Sequence, residues 1–139
     1  MIDKSLESLR PPCRLKAEQL LRLVKDELGI DARVHETLRS LERQDAVETA
    51  GASKNKVGWH NFGLALDIGC YVDGKFQEDD AKGLYLKCGF IGMALGFRWG
   101  GNWDQDRNIA EAGENDFGHF EYHPGSTLQQ LIAQEGLKT

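Results

Sequence analysis

Apolar residues recur at helical spacing in the first third of the chain. Cys13, Ala17, Leu20, Leu21, Val24 and Leu28 fall on one face, behind Pro11 and Pro12 and ahead of Gly29. Prolines in the first turn and a glycine after the last predict a helix over 11–28. "DARVHE" (31–36) alternates instead, which predicts a strand with Val34 inward. Ser40 can cap a short helix from about Leu41 to Ala50, ended by Gly51. After the polar "GASKNKVGW", the run "LALDIGCYV" has the composition of a central strand, and Asp73–Lys75 reads as a turn. From Asp79 to Leu95 the period is helical through Ala81, Leu84, Tyr85 and Cys88. Gly83, Gly89 and Gly92 argue against one unbroken helix, since each costs ~1 kcal/mol relative to alanine. "GFRWGGNW" reads as a strand entering a glycine turn, "FGHFEYH" alternates again, and "STLQQLIAQEG" closes as an amphipathic helix capped by Ser126. Helices thus flank a few strands that are mostly not separated by crossover helices. The predicted class is α+β with a small, mostly antiparallel sheet.

Length and composition narrow this further. The 139 residues suffice for one domain with one sizeable core, spanning 1–139. A net charge of −5 gives no support for nucleic acid or an anionic membrane as partner. No apolar run approaches the ~20 residues of a membrane span. The opening "MIDKSLESLRPPCRLKAEQ" lacks an apolar stretch of the kind a cleavable signal peptide carries, so none is expected. Cys13, Cys70 and Cys88, odd in number and without CxxC spacing, suit reduced, buried thiols in a cytoplasm.

The chemistry-bearing residues are few. Of the four histidines, His60 stands seven residues before Asp67, and His119 stands three after Asp116. Zinc takes imidazole nitrogen and carboxylate oxygen at ~2.0–2.2 Å, and a catalytic zinc keeps three protein ligands and an open position. His60, Asp67 and His119 would make such a set, with Asp116 placed by a turn at Gly118 to take a proton from water. A structural histidine–aspartate hydrogen bond is the competing reading of the same spacing. His35 reads as a structural strand residue, and His123, beside Pro124, as an exposed or capping one. "WGGNW" by itself is compatible with a tight turn whose tryptophans close the core. HExxH, GxSxG, P-loop and GxGxxG motifs are absent.

"HNFGLALD" (60–67), "GFRWGGNW" (96–103) and "DFGHFE" (116–121), in that order, resemble the signature of the D-Ala-D-Ala metallopeptidase family. "VHETLRSLERQDAVETAGASK" (34–54) resembles the same family's preceding block, so the likeness spans about residues 34–121. It implies a hedgehog/D-Ala-D-Ala peptidase-like fold, one zinc ion, and His60, Asp67 and His119 as its ligands. It makes Asp116 the general base and Arg39 the group that steadies the scissile carbonyl. Ser53 and Lys54 match the pair at the cleft entrance, and Trp99 and Trp103 join them as substrate-binding residues. Gly58 stands where many relatives have serine, and Thr37–Leu38–Arg39 where they commonly have glycine–tyrosine–arginine. The first departure removes one possible substrate contact.

The resemblance therefore implies a zinc peptidase acting on the stem peptide of peptidoglycan. The phage L-alanyl-D-glutamate endopeptidase branch makes L-Ala–D-Glu the expected bond. The expected setting is an endolysin-like monomer held in the cytoplasm before release to the wall. A D,D-carboxypeptidase or dipeptidase on the same scaffold, and a non-catalytic zinc-stabilised binding module, are the alternatives. Were Asp116 not the base, Glu121 on the His119 strand face would be the next candidate.

Overall fold

A computed structural model describes residues 2–43, 58–102 and 116–135. Helix α1 spans Pro11–Leu28 as the pattern predicts, and Gly29 ends it in the left-handed region at φ 64°. Cys13, Ala17, Leu20 and Val24 are its buried face, whereas Leu28 is exposed at the last turn. Strand β1 (Asp31–Glu36) pairs antiparallel with β2 (Ala65–Val72), which turns through Asp73 and Gly74, both at positive φ, into the short β3 (Lys75–Phe76). Helix α2 follows (Leu84–Ala94), then β4 (Phe97–Gly100), β5 (Asp116–Tyr122) and α3 (Leu128–Glu135). The sheet order is β1-β2-β5-β4 with β3 beside β2, and every pairing is antiparallel. The α+β expectation holds.

Two elements differ from the sequence pattern for identifiable reasons. Helix α2 begins at Leu84 rather than near Asp79, because the Asp80 carboxylate accepts from the backbone N–H groups of Tyr85 and Leu86 and so fixes the first turn. Gly89 and Gly92 do not break the helix. A Cβ at Gly89 would overlap the Trp99 indole, and one at Gly92 the Phe120 ring, so the glycines admit two large aromatics against the helix backbone. The cap of α3 is Thr127, not Ser126: its Oγ1 accepts from Gln130 N, while Gln130 Oε1 accepts from Thr127 N. Of the helix expected over Leu41–Ala50, only the start lies within the described residues, where Arg43 N–H donates to Ser40 Oγ.

Alternation along β2 and β5 sorts the two sheet faces. Leu66, Ile68, Cys70 and Phe120 join Leu20, Val24, Tyr85, Cys88 and Trp99 in the core on the helix side. Asp67, His119 and Glu121 occupy alternate positions and belong to the opposite face. The three cysteines are free and buried, as expected. Among the described residues no helix is long and apolar enough to cross a membrane.

Candidate functional site

Register assembles the site. Asp67, the third residue of β2, lies opposite His119 on β5 and opposite Glu36 at the irregular end of β1. His60 arrives from a different element, the 3-10 turn Trp59–Phe62, which Gly63 ends in the left-handed region at φ 67°. A Cβ there would stand 2.9 Å from the Ser8 carbonyl oxygen, so the close approach also demands glycine. His60, Asp67 and His119 each offer a ligand atom, and these atoms lie within 4.8 Å of one another. All three belong to the set named from the sequence.

The hydrogen bonds around the trio suit a metal. His60 Nδ1 lies 2.7 Å from the Thr37 carbonyl oxygen, which can only accept, so Nδ1 carries the proton and Nε2 presents its lone pair. That Nε2 is buried, 3.3 Å from Asp67 Oδ2, and makes no hydrogen bond. A buried acceptor without a donor is costly in an apo protein. A cation on Nε2 removes that cost. His119 Nδ1 is 2.8 Å from Asp67 Oδ1, and its Nε2 is 2.9 Å from Glu121 Oε1. The donor set of two imidazoles and one carboxylate, each braced from outside, fits zinc.

Electrostatics follow from the same contacts. Burial disfavours the Asp67 carboxylate, but the hydrogen bond from His119 and the adjacent His60 ring outweigh it and hold Asp67 well below the usual carboxylate range. Burial likewise disfavours a charged His119, yet its hydrogen bonds to Asp67 and Glu121 raise it from 6.5 to about 10. Metal-free His119 is therefore an imidazolium at neutral pH. The folded state then holds a proton that the unfolded state releases, so this stabilisation is complete below pH 6.5 and is lost as pH rises through about 10. The unfolding free energy of chelator-treated protein should fall across that window by up to ~1.4 kcal/mol per pH unit for one proton, and its melting temperature should fall with it. With zinc on Nδ1 that slope should disappear. A flat profile for the metal-free protein would contradict the assignment.

Asp116 is the first residue of β5, paired with Gly100, and lines a cleft of about 340 Å³ together with Asp67, Glu36 and Tyr85. The turn expected at Gly118 is instead strand. A Cβ at Gly118 would strike the Ile68 carbonyl of β2, so that glycine serves strand approach. Burial raises the Asp116 pKa above its ordinary value; Asp67 and Glu121 push the same way, opposed by His119 and His60. Arg39 is nearly buried, its Nη2 2.7 Å from Glu36 Oε1 and 3.6 Å from Asp67 Oδ2. The structure thus brings Asp116 and Arg39 to the trio.

Other expectations fare differently. Trp99 is fully buried against Gly89, and its indole N–H donates to the Phe117 carbonyl at 2.7 Å. It has no surface to offer a substrate and belongs to the core. Ser53, Lys54 and Trp103 lie outside the described residues. His35 is structural, 2.7 Å from the Tyr71 hydroxyl with its ring over Gly69. His123 is neither exposed nor a cap: it stacks on Trp59 at 4.0 Å and pairs with Glu121 Oε2 at 2.8 Å. Glu121 is consequently engaged by two histidines and is an orienting partner of His119 rather than a spare base. Sequence reasoning missed Glu36, whose buried carboxylate spans Arg39 and Arg43. Its position at the end of "DARVHE" was the only signal.

Comparison with known proteins bears on this geometry. A family model of the M15 peptidases, described as D-alanyl-D-alanine carboxypeptidase, matches residues 51–122. The L-alanyl-D-glutamate peptidase of Listeria phage A118 is 38% identical over 80 residues, 54% of this chain and 27% of that protein. The peptidoglycan L-alanyl-D-glutamate endopeptidase CwlK of Bacillus subtilis is 31% identical over 113 residues, 69% of this chain and 63% of that one. The chain thus spans less than two thirds of either relative's length. The L-Ala D-Glu endopeptidase ChiX of Serratia marcescens shares the fold with a TM-score of 0.64 at 22% identity, over 85% of this chain and 83% of that one. A variant of the vancomycin-resistance D,D-pentapeptidase VanY, solved with Zn(II), shares it at 0.54 and 16% identity, over 93% and 80%.

Proposed function

Because this chain belongs to the M15 peptidase family, we propose that it is a zinc peptidase cutting the L-Ala–D-Glu bond of the peptidoglycan stem peptide. The observation that carries the chemistry is the buried Nε2 of His60, left without a hydrogen bond beside Asp67 and His119. The choice of bond rests on the names of the phage A118 and CwlK relatives. Zinc held by His60 Nε2, Asp67 and His119 Nδ1 would polarise the scissile carbonyl and acidify a water. Asp116 accepts that water's proton at a carboxylate oxygen and returns it to the leaving amine. Its raised pKa, which a nearby divalent cation would pull back down, suits both transfers. Arg39, fixed by Glu36, directs its guanidinium toward the oxygen on which negative charge grows. Thr37 and Glu121 orient the two imidazoles and take no part in the bond change. The chain acts as one domain and as a monomer in this reading, with the endolysin-like role and route to the wall implied by the phage likeness.

The family description favours a second reading, removal of terminal D-alanine on the same scaffold. Mass spectrometry of digested, purified sacculi separates the two. L-Ala–D-Glu cleavage should release peptides with D-Glu at the new N-terminus and leave L-Ala on the glycan. Free D-alanine with tetrapeptides left attached identifies the carboxypeptidase. An inert digest from zinc-loaded protein identifies a binding module.

A further inference from the structure

We infer that the N-terminal arm, Asp3–Leu9, is a positioning element for His60, acting through the Thr37 carbonyl. The inference rests on the metal-centre reading above. Thr37 is fully buried, and three of its polar atoms are engaged at once. Its carbonyl accepts from His60 Nδ1 at 2.7 Å, its N–H donates to the Asp3 carbonyl at 2.7 Å, and its Oγ1 donates to the Ser5 carbonyl at 2.8 Å. The N–H and the hydroxyl of the residue whose carbonyl faces His60 are therefore both held by the arm.

The arm is shaped for this task. The Asp3 carboxylate accepts from Ser5 N at 2.8 Å and from Ser8 Oγ at 2.6 Å, folding the arm over its own turn. Leu9 is buried in the core and Leu6 packs against it, which fixes the arm to the body. Directly after the arm, Arg10 N–H donates to the Gly63 carbonyl at 2.9 Å, on the other side of the His60 turn. The segment Asp3–Arg10 thus borders the His60 turn on two sides, through Thr37 and through Gly63, and none of its residues belongs to the trio. Outer partners of metal-bound histidines fix the ring and its tautomer, and losing one typically lowers metal affinity ~10–100-fold. A hydroxyl at position 37 matters here because it holds a carbonyl in place.

Chelator competition on the full chain tests this, alongside the melting temperature of the metal-free form. Thr37→Val should weaken zinc binding by about tenfold or more, and Thr37→Ser, which keeps the hydroxyl, should restore it. Asp3→Ala, which removes the carboxylate that closes the arm's internal turn and lies 3.3 Å from Thr37 Oγ1, should weaken binding in the same direction. It decides the matter if Thr37→Val does not fold. A merely structural arm would lower the metal-free melting temperature while leaving zinc affinity untouched. Wild-type affinity in Asp3→Ala and in folded Thr37→Val overturns the inference. Failure of the unmodified protein to take up zinc would instead overturn the metal centre itself.

Discussion

An Asp116→Asn variant should keep about one zinc per chain and lose ~10²–10⁴-fold in peptidoglycan turnover, the range typical of general-base removal. Asparagine preserves the size and shape of the side chain but cannot accept a proton. The metal should stay because Asp116 is outside the trio whose atoms lie within 4.8 Å of one another. The fold should stay because its role in β5 is carried by backbone pairing with Gly100. The electrostatic surroundings point the same way. Desolvation by the cleft walls and the neighbouring carboxylates Asp67 and Glu121 raise its pKa in the metal-free protein, which makes it a stronger base than an unperturbed aspartate although solvent still reaches it. Elemental analysis and turnover, measured together, check both halves of the expectation. A fully active variant would leave the cleft without its base, because Glu121 is already held by His119 and His123.

Periodicity carried the sequence reading as far as faces and stopped at partners. The helical stripe of α1 and its glycine stop were legible because both are local to the chain. Alternation in "LALDIGC" and "DFGHFE" likewise separates Asp67 and His119 from the core-facing Leu66 and Phe120. What alternation does not encode is which residue on another strand meets which. Nothing in the sequence pattern singles out Glu36, and only the β1–β2 register sets it opposite Asp67, with its carboxylate on Arg39. His123 reads as an exposed or capping residue beside Pro124, and its stack on Trp59 depends on two segments distant in sequence. Helix α2 shows the reverse error. Its glycines lower helix propensity, but the Trp99 and Phe120 rings they admit supply the burial that keeps the helix whole. Thr37 was least visible of all, because the group that faces His60 is a backbone carbonyl, which every residue possesses.

Asp67→Asn and His119→Ala should both empty the metal site, and by more than the ~10–100-fold that loss of an outer partner costs. Asp67 is the negative member of the trio, and it faces His60, His119 and the Arg39 guanidinium at 3.3, 2.8 and 3.6 Å. Replacing its carboxylate by an amide leaves those groups with no opposing charge on β2 and offers the cation a poor neutral ligand. Activity should fall with the metal in both variants, in contrast to Asp116→Asn, where the metal remains. The metal-free proteins provide an independent check. Without the Asp67 carboxylate, His119 loses the strongest of the contacts that raise it, so its pKa should move down from about 10 toward its ordinary value. The decline of melting temperature with pH should then end at a lower pH in Asp67→Asn than in the unmodified chain. His119→Ala should lose that decline altogether. Should Asp67→Asn retain zinc while Asp116→Asn loses it, the two aspartates exchange roles, and the ligand set becomes His60, Asp116 and His119.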